Sequence, residues 1–305
     1  MIDIKNIGYH SISIWDMEYQ MEQLDIMRIK PMILSELQGT RFCPPKILQY
    51  AKSCNQYLKI SYGPITLHFI YIDTLHESIY KVLRTLKYCN MLHKQFNMTK
   101  SYNIYITCSP FKRFIPAKGP INTCHINGGF TSHNDNNIFI IRQEEYAKVI
   151  LHEMLHHVKQ IHNDNWSLSN ILKLKYAFNI DNKTTLVPNE AVVELWATIS
   201  YLNFLSKEYN ISFKTLLKTE LQYSLYQSKK LLKKQDNKPW FEYTNAFCYI
   251  IFKTILLDAY IKNKLPPNNP NEITEYLITH KDVIKKPKKT DRFDKGLRMM
   301  RFSDL

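Results

Sequence analysis

His152-Glu153-Met154-Leu155-His156 sets two imidazoles four residues apart with a carboxylate between them. At about 100° per residue the two histidines lie about 40° apart around a helix, so both rings can reach one ion, and Glu153 falls roughly 60° to the other side of His156. Two neutral imidazoles suit Zn2+ and leave it positive enough to acidify a bound water, whose proton the adjacent Glu153 can take. The surroundings read as one helix over 143–162. Glu144 and Glu145 give it an acidic first turn, and Tyr146, Val149, Ile150, Met154, Leu155 and Val158 follow at helical spacing with no Pro or Gly between. A helix with a solvated His/Glu face is the plainer reading of the same residues, but such faces seldom have this spacing.

A catalytic zinc needs a third protein ligand and an open position. Pro188-Asn189-Glu190-Ala191-Val192-Val193-Glu194 starts a second helix in which Glu190 and Glu194 share a face, Glu190 suited to the metal and Glu194 to the free N–H of a ligand histidine. His162 stands ten positions after His152, the spacing of a three-histidine site. On an unbroken helix, however, it points about 120° away from His156, and Lys159 occupies the place where such a site needs a turning Gly. Glu190 is therefore preferred, with His162 and Asp164 as alternatives. His157 reads as a support for the ligands or as solvated.

HExxH followed by Asn-Glu-Ala-x-x-acid resembles the gluzincin metallopeptidases, especially the thermolysin-like pattern. Two features depart from it: the last acid is Glu194 rather than Asp, and 33 residues separate His156 from Glu190, a longer spacer than that pattern uses. The resemblance covers about 50 residues, 143–197. It implies a zincin-like α+β fold, Zn2+ on His152, His156 and Glu190, Glu153 as general base, and peptide hydrolysis. It also implies a Tyr or His from the second lobe to stabilise the oxyanion, for which Tyr249 and then Tyr243 are the candidates. The stretch Phe241–Lys253 is in addition similar to proteins of large DNA viruses.

The elements around the motif fit that expectation. Residues 57–72 read as two strands about Gly63-Pro64, and Thr74-Leu-His-Glu77 reads as a capping box opening a helix with Ile79, Val82, Leu83 and Leu86 on one side. Asn103–Thr107 and Asn137–Ile141 return as strands. Asn127, Gly128 and Gly129 mark an edge where two glycines would let a peptide substrate's backbone approach; a plain Gly-containing hairpin explains them as well. Beyond 163 helical patterns cover 167–178, 188–206, 211–234 and 240–262. The expected division is an α+β lobe over 1–162, a helical lobe over 163–265, and a basic C-terminal tail over 266–305.

Composition bounds the rest. At 305 residues and 45% hydrophobic the chain can bury a large core. Met1–Gly8 has no apolar run of a secretion signal, and the best apolar run, Ala246–Leu257, is too short to span a bilayer and contains Lys253. Six scattered cysteines without a CxxC pair suit free thiols in a reducing compartment, so the expectation is a cytoplasmic protein with no membrane span. The net charge of +14 includes nine Lys/Arg against four Asp in 281–305, and a second cluster at Lys229, Lys230, Lys233, Lys234 and Lys238. Polyanions or nucleic acid are therefore expected partners beside a peptide substrate. The rival reading is a non-catalytic basic binding protein with a structural or degenerate zinc site.

Overall fold

A computed structural model describes residues 13–132, 135–163, 165–285 and 296–302. In chain order, and with short 3₁₀ turns between some of them, the elements are β1 (Gln20–Leu24), α1 (Lys30–Gly39), α2 (Pro45–Ser53), β2 (Gln56–Tyr62), β3 (Ile65–Tyr71), α3 (Ile79–Gln95), β4 (Tyr102–Thr107), α4 (Thr123–Ile126), β5 (Gly129–Thr131), β6 (Asn137–Ile140) and α5 (Tyr146–Leu155). There follow α6 (Leu168–Ala177), α7 (Asn189–Tyr209), α8 (Phe213–Gln235), a π-turn (Cys248–Phe252), α9 (Lys253–Ile261) and α10 (Pro270–Thr279). The class is α+β. Two compact units divide the described residues, one from those up to 112 with 127–158, the other from 113–126 with those after 158.

The first unit is built on a six-stranded mixed sheet of order β1-β2-β3-β4-β6-β5. β2 and β3 form the expected hairpin; Gly63 takes φ 57° at the first turn position and Pro64 follows it, the residue pattern of a type II′ turn. β3, α3 and β4 make the strand-helix-strand unit, since β3 and β4 run parallel and need a crossover between them. Both sheet faces are covered, so most residues of the central strands β3, β4 and β6 are buried rather than alternately buried and exposed. Tyr57, Ile70, Tyr105 and Phe139 pack with Ile33 and Leu37 of α1 and Ile47 and Ala51 of α2. On the opposite face Phe69 meets the ring of Tyr146 at the start of α5 edge-on at 6.0 Å. Burying side chains of this size is worth about 1.5–3 kcal/mol each.

In this unit the bounds of two helices, α3 and α5, differ from the pattern. The α3 cap is Ser78, whose Oγ accepts from Lys81 N at 3.2 Å, so Thr74–Glu77 is no capping box. Glu77 instead pairs with the Lys81 ammonium at 3.3 Å and accepts from Gln143 Nε2 at 2.9 Å. α5 is shorter than 143–162: Glu145 stands before its first turn in the left-handed region with φ 61°, and the helix ends at Leu155. Its ladder tightens there into bonds three residues long, His157 N to Met154 O and Val158 N to Leu155 O.

The second unit is helical, with Ala191–Leu205 of α7 buried without interruption. Residues 240–245 are not helical as expected. Trp240 and Glu242 bridge to Ile180 and Ile121, and the Glu242 carboxylate accepts from Ala246 N and Phe247 N, so that it starts the helix only at 246. The segment 266–305, expected as a tail, contains α10, and Leu297, Met299 and Met300 are buried. Arg301 N donates to Glu220 Oε2 at 2.8 Å and Lys253 Nζ to Met299 O at 3.1 Å, around a buried Lys253–Glu220 pair at 3.5 Å. These bonds, absent from any sequence pattern, tie Met299 and Arg301 to α8 and α9. Asp164 and Met1–Gly8 lie outside the described residues. Among those described, no helix is long and apolar enough to cross a membrane.

Candidate metal centre

α5 is buried along its whole length, including His152 and Glu153, each 6% exposed. Its last residues present the motif. His156 Nε2 lies 3.2 Å from His152 Nε2, with the ring planes 74° apart. Two nitrogens each about 2.0–2.1 Å from a tetrahedral ion stand about 3.3–3.4 Å apart, so the pair fits Zn2+ with almost no movement. A shared N–H between the rings also accounts for 3.2 Å, and an ion would replace that proton.

His157 is turned toward the sheet rather than toward solvent or a ligand histidine. Its Nε2 lies 3.0 Å from Thr131 Oγ1, and that hydroxyl also donates to Asn137 O at 3.2 Å. Because the threonine has one proton, His157 Nε2 is the donor to it. The ring also meets Tyr102 edge-on at 5.2 Å, so the residue after the motif ties the end of α5 to β5.

β5 is the edge strand of the sheet, as expected for 127–131. The glycine at its start has a packing cause: a Cβ on Gly129 would come within 2.9 Å of Phe139 O and Ile140 Cδ1, and 3.1 Å of Val149 Cγ1 on α5. Gly128 O accepts from Ile141 N at 2.9 Å, and Asn127 O from Arg142 Nε at 2.6 Å. Arg142, fully buried, also donates to Phe111 O at 2.8 Å and so fixes both chain segments beside the edge. Sequence reasoning passed over Arg142; a lone arginine between a strand and a helix carries no pattern.

Glu190 belongs to the helical unit. It sits in the first turn of α7 after Pro188, and Glu194, 2% exposed, follows one turn later. Their neighbour Asn189 clamps a loop. Its Nδ2 donates to His162 Nδ1 at 2.9 Å, and its Oδ1 accepts from Asn163 N at 3.0 Å. The expectation that a continuous helix carries His162 away from the metal therefore fails in its premise, because α5 stops first. His162 is instead held by Asn189. Asn189 was legible only as part of Asn-Glu-Ala, not as a clamp on another loop.

Tyr249 lies half-buried in the π-turn and Tyr243 is exposed, its ring against Phe241 at 4.8 Å. π-turns shift a helix's register by one residue and often occur at functional sites. Cys248, beside Tyr249, has its thiol pushed up by burial first and then by the charges of Glu242 and Glu190. Burial pushes Glu242 itself up to about 7. Comparison with protein-family models, curated proteins and solved structures finds no match.

Proposed function

We propose that this chain is a zinc-dependent metallopeptidase of gluzincin type. The observation that supports it best is the His152–His156 pair at 3.2 Å with Glu153 buried between them in sequence. In this reading Glu190 completes the donor set, and Glu194 accepts the free N–H of a ligand histidine and fixes its ring. Zinc in such a set supplies Lewis acidity, polarising the scissile carbonyl and lowering the pKa of water.

The remaining chemistry belongs to side chains. Glu153 takes the proton of the attacking water and passes it to the leaving amine. The Tyr249 hydroxyl donates to the developing oxyanion. The outer edge of the sheet at β5, with Asn127, Gly128 and Gly129, receives an extended peptide as an added strand. The test is zinc content by mass spectrometry together with turnover of a mixed peptide library, before and after chelation and after zinc is restored. Zinc-dependent cleavage is expected; a protein that binds no zinc, or that binds it and cleaves nothing, overturns the reading.

A further inference from the structure

α8 is 23 residues long, about 34 Å. It carries six lysines and a single acid, Glu220, which is fully buried against Lys253. Two of the six are spent inside the unit: Lys230 Nζ donates to Gly296 O at 2.7 Å and Lys234 Nζ to Pro116 O at 2.8 Å. Lys214, Lys218, Lys229 and Lys233 are exposed. At about 100° per residue these four fall within an arc of about 100°, opposite the buried row of Leu217, Glu220, Ser224 and Leu231, and they span about 28 Å along the axis.

From this we propose that the outer face of α8 is a docking surface for the phosphate backbone of a nucleic acid. Charge complementarity selects the partner. No exposed acid interrupts the row within α8; the first to follow is its C-cap Asp236, three residues after Lys233, so the field that a linear polyanion would meet is positive along the length of the row. No large apolar side chain of α8 is exposed, which leaves nothing to insert into a lipid surface. Lysines are point charges without the planar fork that reads base edges or carboxylates, so the contacts are to phosphates and independent of sequence. Most of the basic C-terminal residues, in 286–295, lie outside the described residues, whereas α8 presents its lysines along one line. The surface stands whether or not the histidine pair holds zinc.

The test uses the full chain and a fluorescein-labelled 24-base-pair DNA duplex of mixed sequence, read by anisotropy between 50 and 200 mM salt. Four phosphate contacts on a duplex give a log–log slope of about −3.6, a loss of affinity on the order of a hundredfold over that range. Replacing Lys214, Lys218, Lys229 and Lys233 together by Gln should flatten the slope toward zero. A control replacing the exposed Lys52, Lys94, Lys100 and Lys264 by Gln makes the same change in net charge and should keep the slope near that of the parent. Equal losses in both variants, no duplex binding by the parent, or tighter binding to polyglutamate or to phosphatidylserine vesicles than to the duplex would overturn the proposal.

Discussion

The Nε2 atoms of His152 and His156 stand 3.2 Å apart at the end of α5. Helical spacing alone puts both rings on one face; it does not aim the same nitrogen of each at the same point. Their approach lies where α5 is buried along its length and where the next residue, His157, bonds to Thr131 of β5.

The choice of third ligand is open to direct comparison. Glu190→Gln should lower zinc affinity by at least tenfold, and Glu194→Gln by about 10–100-fold if it orients a ligand histidine. His162→Gln should leave zinc content unchanged, since its ring serves Asn189. Competition with a chromogenic chelator measures all three, and a large loss in His162→Gln alone would move the site to the three-histidine pattern.

Gly129→Ala should destabilise the protein by about 1–3 kcal/mol, because the added methyl meets the Phe139 carbonyl and two packed side chains. Urea unfolding reads this. A neutral effect would mean that β5 can shift outward, and that the glycine is kept for what binds there.

His68 lies in the sheet between the Tyr57 hydroxyl, 2.8 Å from Nδ1, and Asn103 Oδ1, 3.3 Å from Nε2, and burial pushes its imidazole down to about 4. The unfolded chain therefore binds a proton that the folded one refuses between pH 6.5 and 4. Stability from this group is intact above 6.5 and falls as pH drops through that window, by about 3 kcal/mol in total. Imidazole NMR should show one histidine, absent in His68→Phe, titrating near 4; a midpoint near 6.5 would contradict the buried neutral ring.

Removing residues 296–305 takes away the carbonyl of Met299 and the amide of Arg301 from the Lys253–Glu220 pair. Opening a buried ion pair to incomplete pairing costs about 3–5 kcal/mol when one partner is lost outright, and a sizeable part of that is expected here. Thermal unfolding of the truncated chain should show a clear drop in Tm. An unchanged Tm would return this segment to the status of a dispensable tail.

Sequence periodicity reached the elements that local pattern determines: the β2–β3 hairpin, the parallel β3–α3–β4 unit, the edge at 129–131 and the four helical patterns after 163. It failed where a distant partner decides. α5 ends at Leu155 with no Pro or Gly to mark it, and the helix expected from 240 starts at 246 because Glu242 caps it and the preceding residues bridge to Ile121 and Ile180. Leu297, Met299 and Met300 are scattered among charges in the sequence, and only the structure shows them buried. For the candidate site, spacing alone put forward the HExxH residues and the Glu190/Glu194 pair as a proposal, whereas the clamps formed by Asn189, Arg142 and His157 carry no sequence pattern, since each joins segments at least 15 residues apart.

The central claim is that His152 and His156 hold a metal for which Glu153 acts as base without binding it. Zinc content and peptide turnover of purified Glu153→Gln and His156→Ala test it most directly, with folding followed by circular dichroism. Glu153→Gln should keep about one zinc per chain and lose activity by about 10²–10⁴-fold, and folded His156→Ala should lose zinc and activity together. Full turnover in Glu153→Gln, or full zinc occupancy in His156→Ala, would contradict the account.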